Sequence, residues 1–519
     1  MTLASDKKPA CVWLVGAGPG DCGLITVRGL QVLRRSEVVV HDALANPALF
    51  DLAPPDAQII DVGKRAGDHK LDQDQINQLL VDYARAGKRV VRLKGGDPYL
   101  FGRGAEEAAY LARHGISVEV VPGVTAGVAA PAAAGIPVTH RMLASTVTFV
   151  TGHEDPTKQA TAVDYQSLAG LIGKGGTVCF YMGVGRLGVI ADELHRHGLP
   201  LTTPVAVVQW GTLPRQRAVR TTLAAAPDGV AAAGIGAPAI IVVGQVAAID
   251  EPGLDFFTSR SLFGQCVLIT RTRHQASQLR ARLEELGAEV LEAPTIELVP
   301  PDNWADVDAA IRRITDYDWL VLTSVNGVEA LAQRLDYLQL DARHFGGVKI
   351  AAIGDATADT LHSRLQLRAD LVPTRFVAES LAAELIAQHD VKDKRLLLLR
   401  ADIARPALPK LLTDAGANVT ELAVYQTHRA AALPADCLAA LRAGRVDWVT
   451  FTSSSTATNL AEMLGNERDL LEQVKIASIG PVTSDTVRKL GLSVTTEAAT
   501  SNIDGLVEAI ERFDPGRGR

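Results

Sequence analysis

Three observations predict an α/β protein made of two halves. Over residues 11–248, short runs rich in β-branched residues alternate with helix-like stretches, which favours mostly parallel sheets covered by helices. Residues 249–263 interrupt this alternation and indicate a linker. Residues 264–510 contain one α/β unit twice, which predicts two similar lobes with a cleft between them.

The composition narrows the class of protein. The chain has 519 residues, of which 47% are hydrophobic and 21% charged, as is typical of a soluble protein with several domains. Its net charge of −7 gives no support to nucleic-acid binding. The five cysteines form no CxxC pair, so neither a disulfide framework nor a metal site is expected. No apolar run reaches membrane-spanning length and the first residues do not resemble a signal peptide, so we expect a cytoplasmic protein without a membrane partner.

The N-terminal half divides into two predicted subdomains, about 11–138 and 139–248. In the second, the last strands follow one another without a helix between them, which predicts antiparallel pairs. Two helices are expected in the first subdomain, at Asp72–Ala86 and Ala105–His114. The predicted strands, in chain order, are Trp13–Val15, Val38–Val40, Ile59–Val62, Val90–Leu93, Val118–Val121, Thr146–Val150, Val178–Tyr181, Val205–Gln209, Arg217–Thr222 and Ala239–Val243.

Glycine-rich and polar turns follow the first four strands. If these strands are parallel neighbours, their carboxyl ends share one edge of the sheet, and Pro19, Asp42, Lys64 and residues 95–97 line a single cleft. Glycines there let the backbone approach a ligand closely. The first turn, GAGPGD, is not G-x-G-x-x-G, so a dinucleotide is disfavoured. The plainer alternatives are an ordinary βα turn, a helix cap at Asp42 and a solvated loop lysine at Lys64.

Seven motifs in order carry a resemblance to a known family. They are GAGPGD, VVHDAL, GKRAG, RLKGGDPYLFGRGAEE, VPGVTA, GIPVTHR and FYMGVGRL, and over residues 11–248 they resemble uroporphyrinogen-III C-methyltransferases. VVHDAL departs from VVYDRL of some members at His41 and Ala43. The resemblance implies the tetrapyrrole methyltransferase fold, a homodimer through this half, and S-adenosylmethionine as cofactor, with S-adenosylhomocysteine as its product. It implies two methylations of uroporphyrinogen III, at C2 and C7, which give precorrin-2.

The same resemblance assigns roles to individual residues. Asp42 would be the proton acceptor and Lys64 the proton donor. Because the substrate carries eight carboxylates, Lys64 and four further basic residues would meet them with charge-assisted hydrogen bonds: Arg65, Lys94, Arg103 and Arg141. The implied cofactor contacts are Pro19, Gly95, Gly96, Asp97, Leu100, Thr125, Ala126, Met182 and Gly211.

The C-terminal half repeats its own sequence. DWLVLTSVNGVEAL from Asp318 matches DWVTFTSSSTATNL from Asp447, and KIAAIGDATADTL from Lys349 matches KIASIGPVTSDTV from Lys475. Each copy places hydroxyl side chains directly after a buried strand, where open α/β sheets bind ligands. These hydroxyls either line the cleft or cap the helices that follow.

This half resembles uroporphyrinogen-III synthases through the segments VLITR, LTSVNGVEAL, AIGDATADTL, LAVYQT, FTSSSTATNL and SIGPVTSDTV. The resemblance implies closure of hydroxymethylbilane to uroporphyrinogen III with inversion of ring D. It implies one lobe of about 264–296 with 430–510, and a second of about 297–429. Tyr425 would assist loss of the hydroxyl leaving group, unless it is simply a core residue. The implied substrate-binding residues are Thr323, Ser324, Asn326, Ser453, Ser454 and Thr483.

Three other functions stay open at this stage. The first half could methylate another corrin position, although GKRAG and KGGDPYLFGRG together argue against this. The second half could be a ligand-binding module without turnover. A dinucleotide-dependent oxidoreductase is disfavoured by the spacing of the first glycine turn.

Overall fold

A computed structural model of the protein describes residues 11–63, 71–152, 162–270 and 273–513. These residues form four five-stranded sheets with helices packed against them, which confirms the predicted α/β class. The chain divides into two compact units. One contains the first two sheets, and the other contains the fourth sheet and most of the third.

The first sheet contains β1 Cys11–Gly16, β2 Val38–His41, β3 Gln58–Asp61, β4 Val90–Lys94 and β5 Ser117–Val121. It is parallel throughout and has the strand order β3-β2-β4-β1-β5. Its central strands are mostly apolar because both faces are covered, with Arg92 and Lys94 of β4 as charged exceptions. Its helices are α1 Val27–Leu33, α2 Gln73–Arg85 and α3 Gly104–Arg113. A capping box between Asp72 and Gln75 fixes the start of α2.

The strands of the second sheet are β6 Val147–Thr151, β7 Thr177–Tyr181, β8 Pro204–Gln209, β9 Arg217–Thr222 and β10 Ala239–Val243. The sheet is mixed, in the order β6-β7-β10-β8-β9. Its helices are α4 Ala126–Ala133, α5 Tyr165–Gly173, α6 Leu187–Arg196 and α7 Ala226–Ala232. The predicted antiparallel pairs are confirmed for β8 with β9 and with β10. The prediction of no helix among these strands is wrong, since α7 lies between β9 and β10. Pro227 in its first turn suits a helix start, and Val230 anchors it in the core.

The C-terminal half contains ten strands and ten helices in the part that the structure describes. The strands are β11 Cys266–Ile269, β12 Glu289–Glu292, β13 Ile296–Val299, β14 Trp319–Leu322, β15 Lys349–Ala352, β16 Arg395–Ala401, β17 Asn418–Arg429, β18 Trp448–Phe451, β19 Lys475–Ser478 and β20 Thr496–Glu497. The helices are α8 Arg273–Glu285, α9 Ala305–Arg312, α10 Val325–Leu338, α11 Asp355–Leu365, α12 Ala378–His389, α13 Ala407–Asp414, α14 Ala435–Arg442, α15 Ser454–Leu464, α16 Pro481–Lys489 and α17 Ile503–Phe513.

The internal repeat is confirmed by the strand pairing. In one copy β14 pairs in parallel with β15, and in the other β18 pairs in parallel with β19. The strands distribute into two sheets, β12-β11-β18-β19-β20 and β13-β17-β16-β14-β15. The copies differ at one place. The continuous strand β17 of the second copy corresponds in sequence to β12 and β13 of the first, which join different sheets after a break at residues 293–295. Pro294, which has no backbone N–H to donate, lies in that break.

Within the described residues, we find no helix with the length and apolar character needed to cross a membrane.

Candidate active sites

The loops after β1 and β4 are joined at the carboxyl edge of the first sheet. The Gly96 N–H donates to the Gly18 carbonyl at 2.7 Å, and the Gly18 N–H donates back to the Gly96 carbonyl at 3.3 Å. Gly96 has φ of +66°, which a residue with a Cβ rarely adopts. A Cβ at Gly96 would meet nothing closer than the Ala126 nitrogen at 4.0 Å, so the backbone faces open space. This open backbone suits close approach of a ligand.

A second glycine contact packs the loop before α4 under the same turn. A Cβ at Gly123 would lie 2.2 Å from the Gly96 carbonyl oxygen, so only glycine fits there. Asp97 secures this arrangement, since its Oδ2 accepts from the Gly123 N–H at 3.0 Å and its Oδ1 from the Tyr99 N–H at 2.8 Å. The Asp97 side chain therefore holds the turn after β4 against the loop before α4.

The Tyr181 phenol at the end of β7 contacts the start of α4. Its hydroxyl shares a hydrogen bond with Thr125 Oγ1 at 2.6 Å and accepts from the Gly127 N–H at 2.6 Å. The ring of Phe101 lies 5.0 Å from that of Tyr181. Burial raises the pKa of Tyr181, which therefore stays protonated at neutral pH. The next residue, Met182, is 52% exposed and has φ of +54°.

The loop after β8 approaches the same region. Gly211 packs against α4, where a Cβ would lie 2.2 Å from the Ala130 Cβ. Thr212 Oγ1 accepts from the Asp21 N–H at 3.1 Å and so links this loop to the turn that follows β1. The structure thus gathers the predicted cofactor contacts in the turns after β1 and β4, at the start of α4, and after β7 and β8. They are Pro19, Gly95, Gly96, Asp97, Leu100, Thr125, Ala126, Met182 and Gly211.

Asp42, directly after β2, belongs to a cluster of four charged side chains. Arg92 Nη2 donates to Asp42 Oδ1, and Lys94 Nζ lies 3.9 Å from Asp42 Oδ2. Lys94 also donates to Glu107 Oε1 at 2.8 Å. Burial and the nearby Arg92 charge lower the pKa of Lys94, while Asp42 and Glu107 oppose that shift. The Asp42 carboxylate therefore pairs with Arg92, and the helix-cap alternative for its side chain is wrong.

The predicted basic contacts separate into distinct environments. Lys94 is 3% exposed and faces Glu107 and Asp42, so its expected contact with a substrate carboxylate is corrected to an internal ion pair. Arg103 is exposed and pairs with Glu106 at 2.7 Å. Arg141 is exposed in the segment between the two subdomains. Lys64 and Arg65 lie outside the described residues.

Arg92, Glu107 and Tyr181 were missed as site residues from the sequence. The sequence does contain a signal for Arg92, because this arginine stands between apolar residues of a strand that is buried on both faces. Glu107 shares the buried face of α3 with Gly104 and Leu111, which its spacing could have shown.

In the C-terminal half, a cleft of about 270 Å³ opens at the carboxyl ends of β14, β15 and β16, beside Tyr425 within β17. The Tyr425 hydroxyl lies 3.0 Å from Ser324 Oγ, which also caps α10 by accepting from the Gly327 N–H at 3.0 Å. The Tyr425 ring packs on the apolar core of this lobe. The cleft is lined by Thr323, Ser324, Ile353, Phe376, Val377, Ala378, Arg400, Ala401, Ala404, Arg405 and Tyr425.

Arg400 is a buried cation in this cleft that the sequence did not single out. Its Nη1 donates to Glu421 Oε1 and its Nη2 to the Arg405 carbonyl, each at 2.8 Å. It therefore holds the loop after β16 beside Tyr425. Asn326, in the first turn of α10, does not line the cleft.

The corresponding hydroxyls of the other lobe lie at the starts of α15 and α16. Ser453 caps α15 by accepting from the Thr456 N–H at 3.3 Å, so capping holds for Ser324 and Ser453. Ser454 Oγ donates to the Val482 carbonyl at 3.2 Å and accepts from Thr486 Oγ1 at 2.9 Å. Thr483 is buried in the first turn of α16.

Two family models match this chain. The model described as Tetrapyrrole (Corrin/Porphyrin) Methylases matches residues 11–227. The model described as Uroporphyrinogen-III synthase HemD matches residues 277–508.

Curated relatives match one or both halves. The "Porphyrin biosynthesis protein HemD" of Ruminiclostridium josui is 35% identical over 506 residues, which cover 97% of this chain and 98% of the relative. The "Uroporphyrinogen-III C-methyltransferase" of Bacillus subtilis (strain 168) is 40% identical over 341 residues, 65% of this chain and 69% of the relative. The "S-adenosyl-L-methionine-dependent uroporphyrinogen III methyltransferase" of Methanosarcina barkeri is 48% identical over 251 residues, 47% of this chain and 97% of the relative.

Proposed function

We propose that this chain, which belongs to the tetrapyrrole methylase family in its N-terminal half and to the uroporphyrinogen-III synthase family in its C-terminal half, converts hydroxymethylbilane to precorrin-2. Residues 11–248 would form the methyltransferase, 249–263 the linker and 264–510 the synthase. The strands of the four sheets fall on either side of this linker, which supports the division.

The synthase step would take place beside Tyr425. The phenol donates a proton to the departing hydroxyl of hydroxymethylbilane, which leaves as water when its C–O bond breaks. Ser324, 3.0 Å away, orients that phenol. The hydroxyls of Thr323, Ser453, Ser454 and Thr483 would hold substrate carboxylates with help from helix N-termini. Ring closure follows with inversion of ring D, which gives uroporphyrinogen III.

The methylation step would take place at the carboxyl edge of the first sheet. S-adenosylmethionine supplies an electrophilic methyl group on a sulfonium when it is bound. The open backbone at Gly96 and the exposed Met182 suit such a ligand, and with the other predicted contacts they would hold it. Transfer of that methyl group to a pyrrole carbon would break its bond to sulfur and leave S-adenosylhomocysteine, and Asp42 would accept the proton that the pyrrole system then loses. Arg103 and Arg141, both exposed, would bind substrate carboxylates, as would Arg65, and Lys64 would act as proton donor.

One observation carries the methylation proposal. Asp42 is the partly exposed member of an otherwise buried charge cluster, with 32% of its side chain accessible, and it follows β2 directly at the edge where Gly96 leaves open space. A carboxylate held in one orientation next to a ligand cradle is suited to accept a proton from a bound substrate.

The product identifies the reaction. Incubation of the chain with uroporphyrinogen III and S-adenosylmethionine carrying a ¹³C-labelled methyl group should yield labelled carbons at C2 and C7 in the NMR spectrum. A single labelled methyl, or labels at other ring positions, would overturn the precorrin-2 assignment and favour methylation of another corrin position.

We also propose a cytoplasmic homodimer that assembles through the methyltransferase half. The dimer rests on the family resemblance of that half. The cytoplasmic location rests on the scattered cysteines, which form no CxxC pair. Light scattering in dilute solution should give twice the 55.0 kDa mass of one chain, and a monomer mass would overturn the dimer.

A further inference from the structure

Glu107 is a buried carboxylate that the catalytic scheme above does not use. It is 0% exposed on α3, and its Oε1 accepts from Lys94 Nζ at 2.8 Å and from Gln73 Nε2 at 3.1 Å. Arg92 Nη2 lies 3.4 Å from the same oxygen. Its Oε2 has no hydrogen-bond partner among the described residues. Burial of an ionised carboxylate costs folding free energy unless cations pair with it, and Lys94 and Arg92 supply that pairing for Glu107.

The geometry of β4 connects Glu107 to Asp42. Arg92 and Lys94 are two residues apart on this strand, so their side chains leave the same face of the sheet. Register places Arg92 opposite Val40 of β2, and the Asp42 N–H donates to the Leu93 carbonyl. Each cation therefore lies between the buried carboxylate of Glu107 and the partly exposed one of Asp42.

The Asp42 oxygens have different surroundings as a result. Oδ1 accepts from Arg92 Nη2, while Lys94 stays 3.9 Å from Oδ2, which is beyond hydrogen-bond distance. The shorter contact of Lys94 is with Glu107, at 2.8 Å. Glu107 thus draws Lys94 away from Asp42.

We propose that Glu107 is a positioning residue for the methylation, which anchors Arg92 and Lys94 so that Arg92 binds Oδ1 of Asp42 and Oδ2 is left to receive the substrate proton. The proposal rests on the proposed role of Asp42 as proton acceptor. Without the Glu107 charge, both cations are free to turn fully toward Asp42, and the accepting oxygen is no longer presented to substrate.

The first test is the isosteric change Glu107→Gln in the full chain, assayed with uroporphyrinogen III and S-adenosylmethionine. We expect kcat for methylation to fall by about 10- to 100-fold, the scale of effect that a small misplacement of a catalytic group produces. KM for uroporphyrinogen III and Kd for S-adenosylmethionine should change by less than about twofold, because Asp42 orientation affects turnover rather than binding. Unchanged kcat in the folded variant would overturn the proposal.

A control and a second variant separate positioning from stability. Glu119→Gln removes a glutamate of β5 that pairs with Arg28 at 2.7 Å outside the cluster, and it should leave kcat unchanged. The double variant Lys94→Met/Glu107→Leu replaces the buried Lys94–Glu107 ion pair by apolar side chains. Such a replacement commonly preserves stability. Its thermal stability should approach that of wild type while kcat stays low, and recovery of wild-type kcat would show that the pair is structural only.

The synthase activity of the same proteins separates a failure of the proposed methylation from a failure of the proposed role of Glu107. It should be equal in wild type and in every variant, since none of the changes lies in the C-terminal half. A wild-type chain that makes uroporphyrinogen III but transfers no methyl group would overturn the proposed methylation and this inference with it. A wild type that methylates normally, with an equally active Glu107→Gln variant, would overturn this inference alone.

Discussion

At the residue scale, single hydrogen-bonding side chains determine the shape of both candidate sites. The Tyr181 hydroxyl joins the end of β7 to Thr125 and to the Gly127 N–H. In the other half, Ser324 both caps α10 and contacts Tyr425. The Tyr181 hydroxyl orients the start of α4, and the Ser324 hydroxyl contacts Tyr425 of β17. Removal of either hydroxyl should therefore disturb the site more than the strand or helix that carries the hydroxyl.

Tyr181→Phe should loosen the start of α4. The change leaves the Gly127 N–H and the Thr125 hydroxyl without their shared partner, at a cost of about 1–3 kcal/mol in the free energy of unfolding. Because Thr125 and Ala126 are predicted cofactor contacts, calorimetry should show a Kd for S-adenosylmethionine raised about tenfold. Tyr110→Phe makes the same chemical change at a half-buried tyrosine that donates to Gln78 away from α4, and it should leave Kd unaltered. A Kd for S-adenosylmethionine that is the same in Tyr181→Phe as in wild type would refute the role of Tyr181.

Tyr425→Phe should lower the rate of uroporphyrinogen III formation by about 100-fold, because the proposed role of the phenol is to donate a proton to the leaving group. The ring is retained, so packing on the core of the lobe is retained too. Tyr337→Phe, at an exposed tyrosine of α10, is the matched control and should be fully active. A wild-type rate for Tyr425→Phe, measured by isomer analysis of the product, would mean that Tyr425 is a core residue.

The buried ammonium of Lys94 should make stability depend on pH in the alkaline range. Its pKa is lowered below 10.5 in the folded state, so the folded chain releases this proton at a lower pH than the unfolded chain does. Between the two pKa values the unfolded state binds more protons, and the contribution of Lys94 to stability rises with pH. Denaturant unfolding from neutral pH to 10.5 should therefore show wild type gaining on Lys94→Met as pH rises. A constant or falling difference would contradict the lowered pKa.

At the scale of elements, glycine contacts bring the loops of the first sheet together. The turn after β4 and the loop before α4 approach so closely that Gly123 has no room for a side chain. This contact, with Asp97 across it, fixes the backbone at Gly96 against which a ligand would lie.

Gly123→Ala should therefore displace the turn at Gly96, since the new methyl group would lie 2.2 Å from its carbonyl oxygen. We expect a loss of about 1–3 kcal/mol in the free energy of unfolding and no measurable binding of S-adenosylmethionine. Gly170→Ala, inside α5 with open space around it, should instead keep or raise stability and leave binding intact. Melting temperature and calorimetric titration together check this. Normal cofactor binding by a folded Gly123→Ala chain would contradict it.

The elements themselves were largely predictable, and the reasons are physical. Strands such as β14 are buried on both faces, so they appear in the sequence as continuous apolar runs. Helix α7 was missed because its alanine-rich segment is short and contributes just two buried residues, Ala226 and Val230, to the core. The charge cluster was missed for a different reason. Glu107 meets Arg92 and Lys94 only when α3 packs on the sheet, and no local pattern encodes that contact.

At the scale of the whole molecule, two enzyme families lie in succession on one chain. The repeat within the C-terminal half was visible in the sequence because both copies keep the same strand–helix segments. The difference between the copies was not visible, since whether β12 and β13 continue as one strand or enter two sheets depends on tertiary pairing. The proposed product of the C-terminal half is the proposed substrate of the N-terminal half, so the chain would close the ring first and methylate it second.

One incubation tests whether the chain performs both reactions in this order. The purified chain is given hydroxymethylbilane alone, or with S-adenosylmethionine, and the products are analysed for isomer type and mass. We predict the type III isomer of uroporphyrinogen without the cofactor, and with it a product heavier by two methyl groups. Type I isomer alone, which forms spontaneously, or a type III product whose mass does not change with the cofactor, would contradict the account.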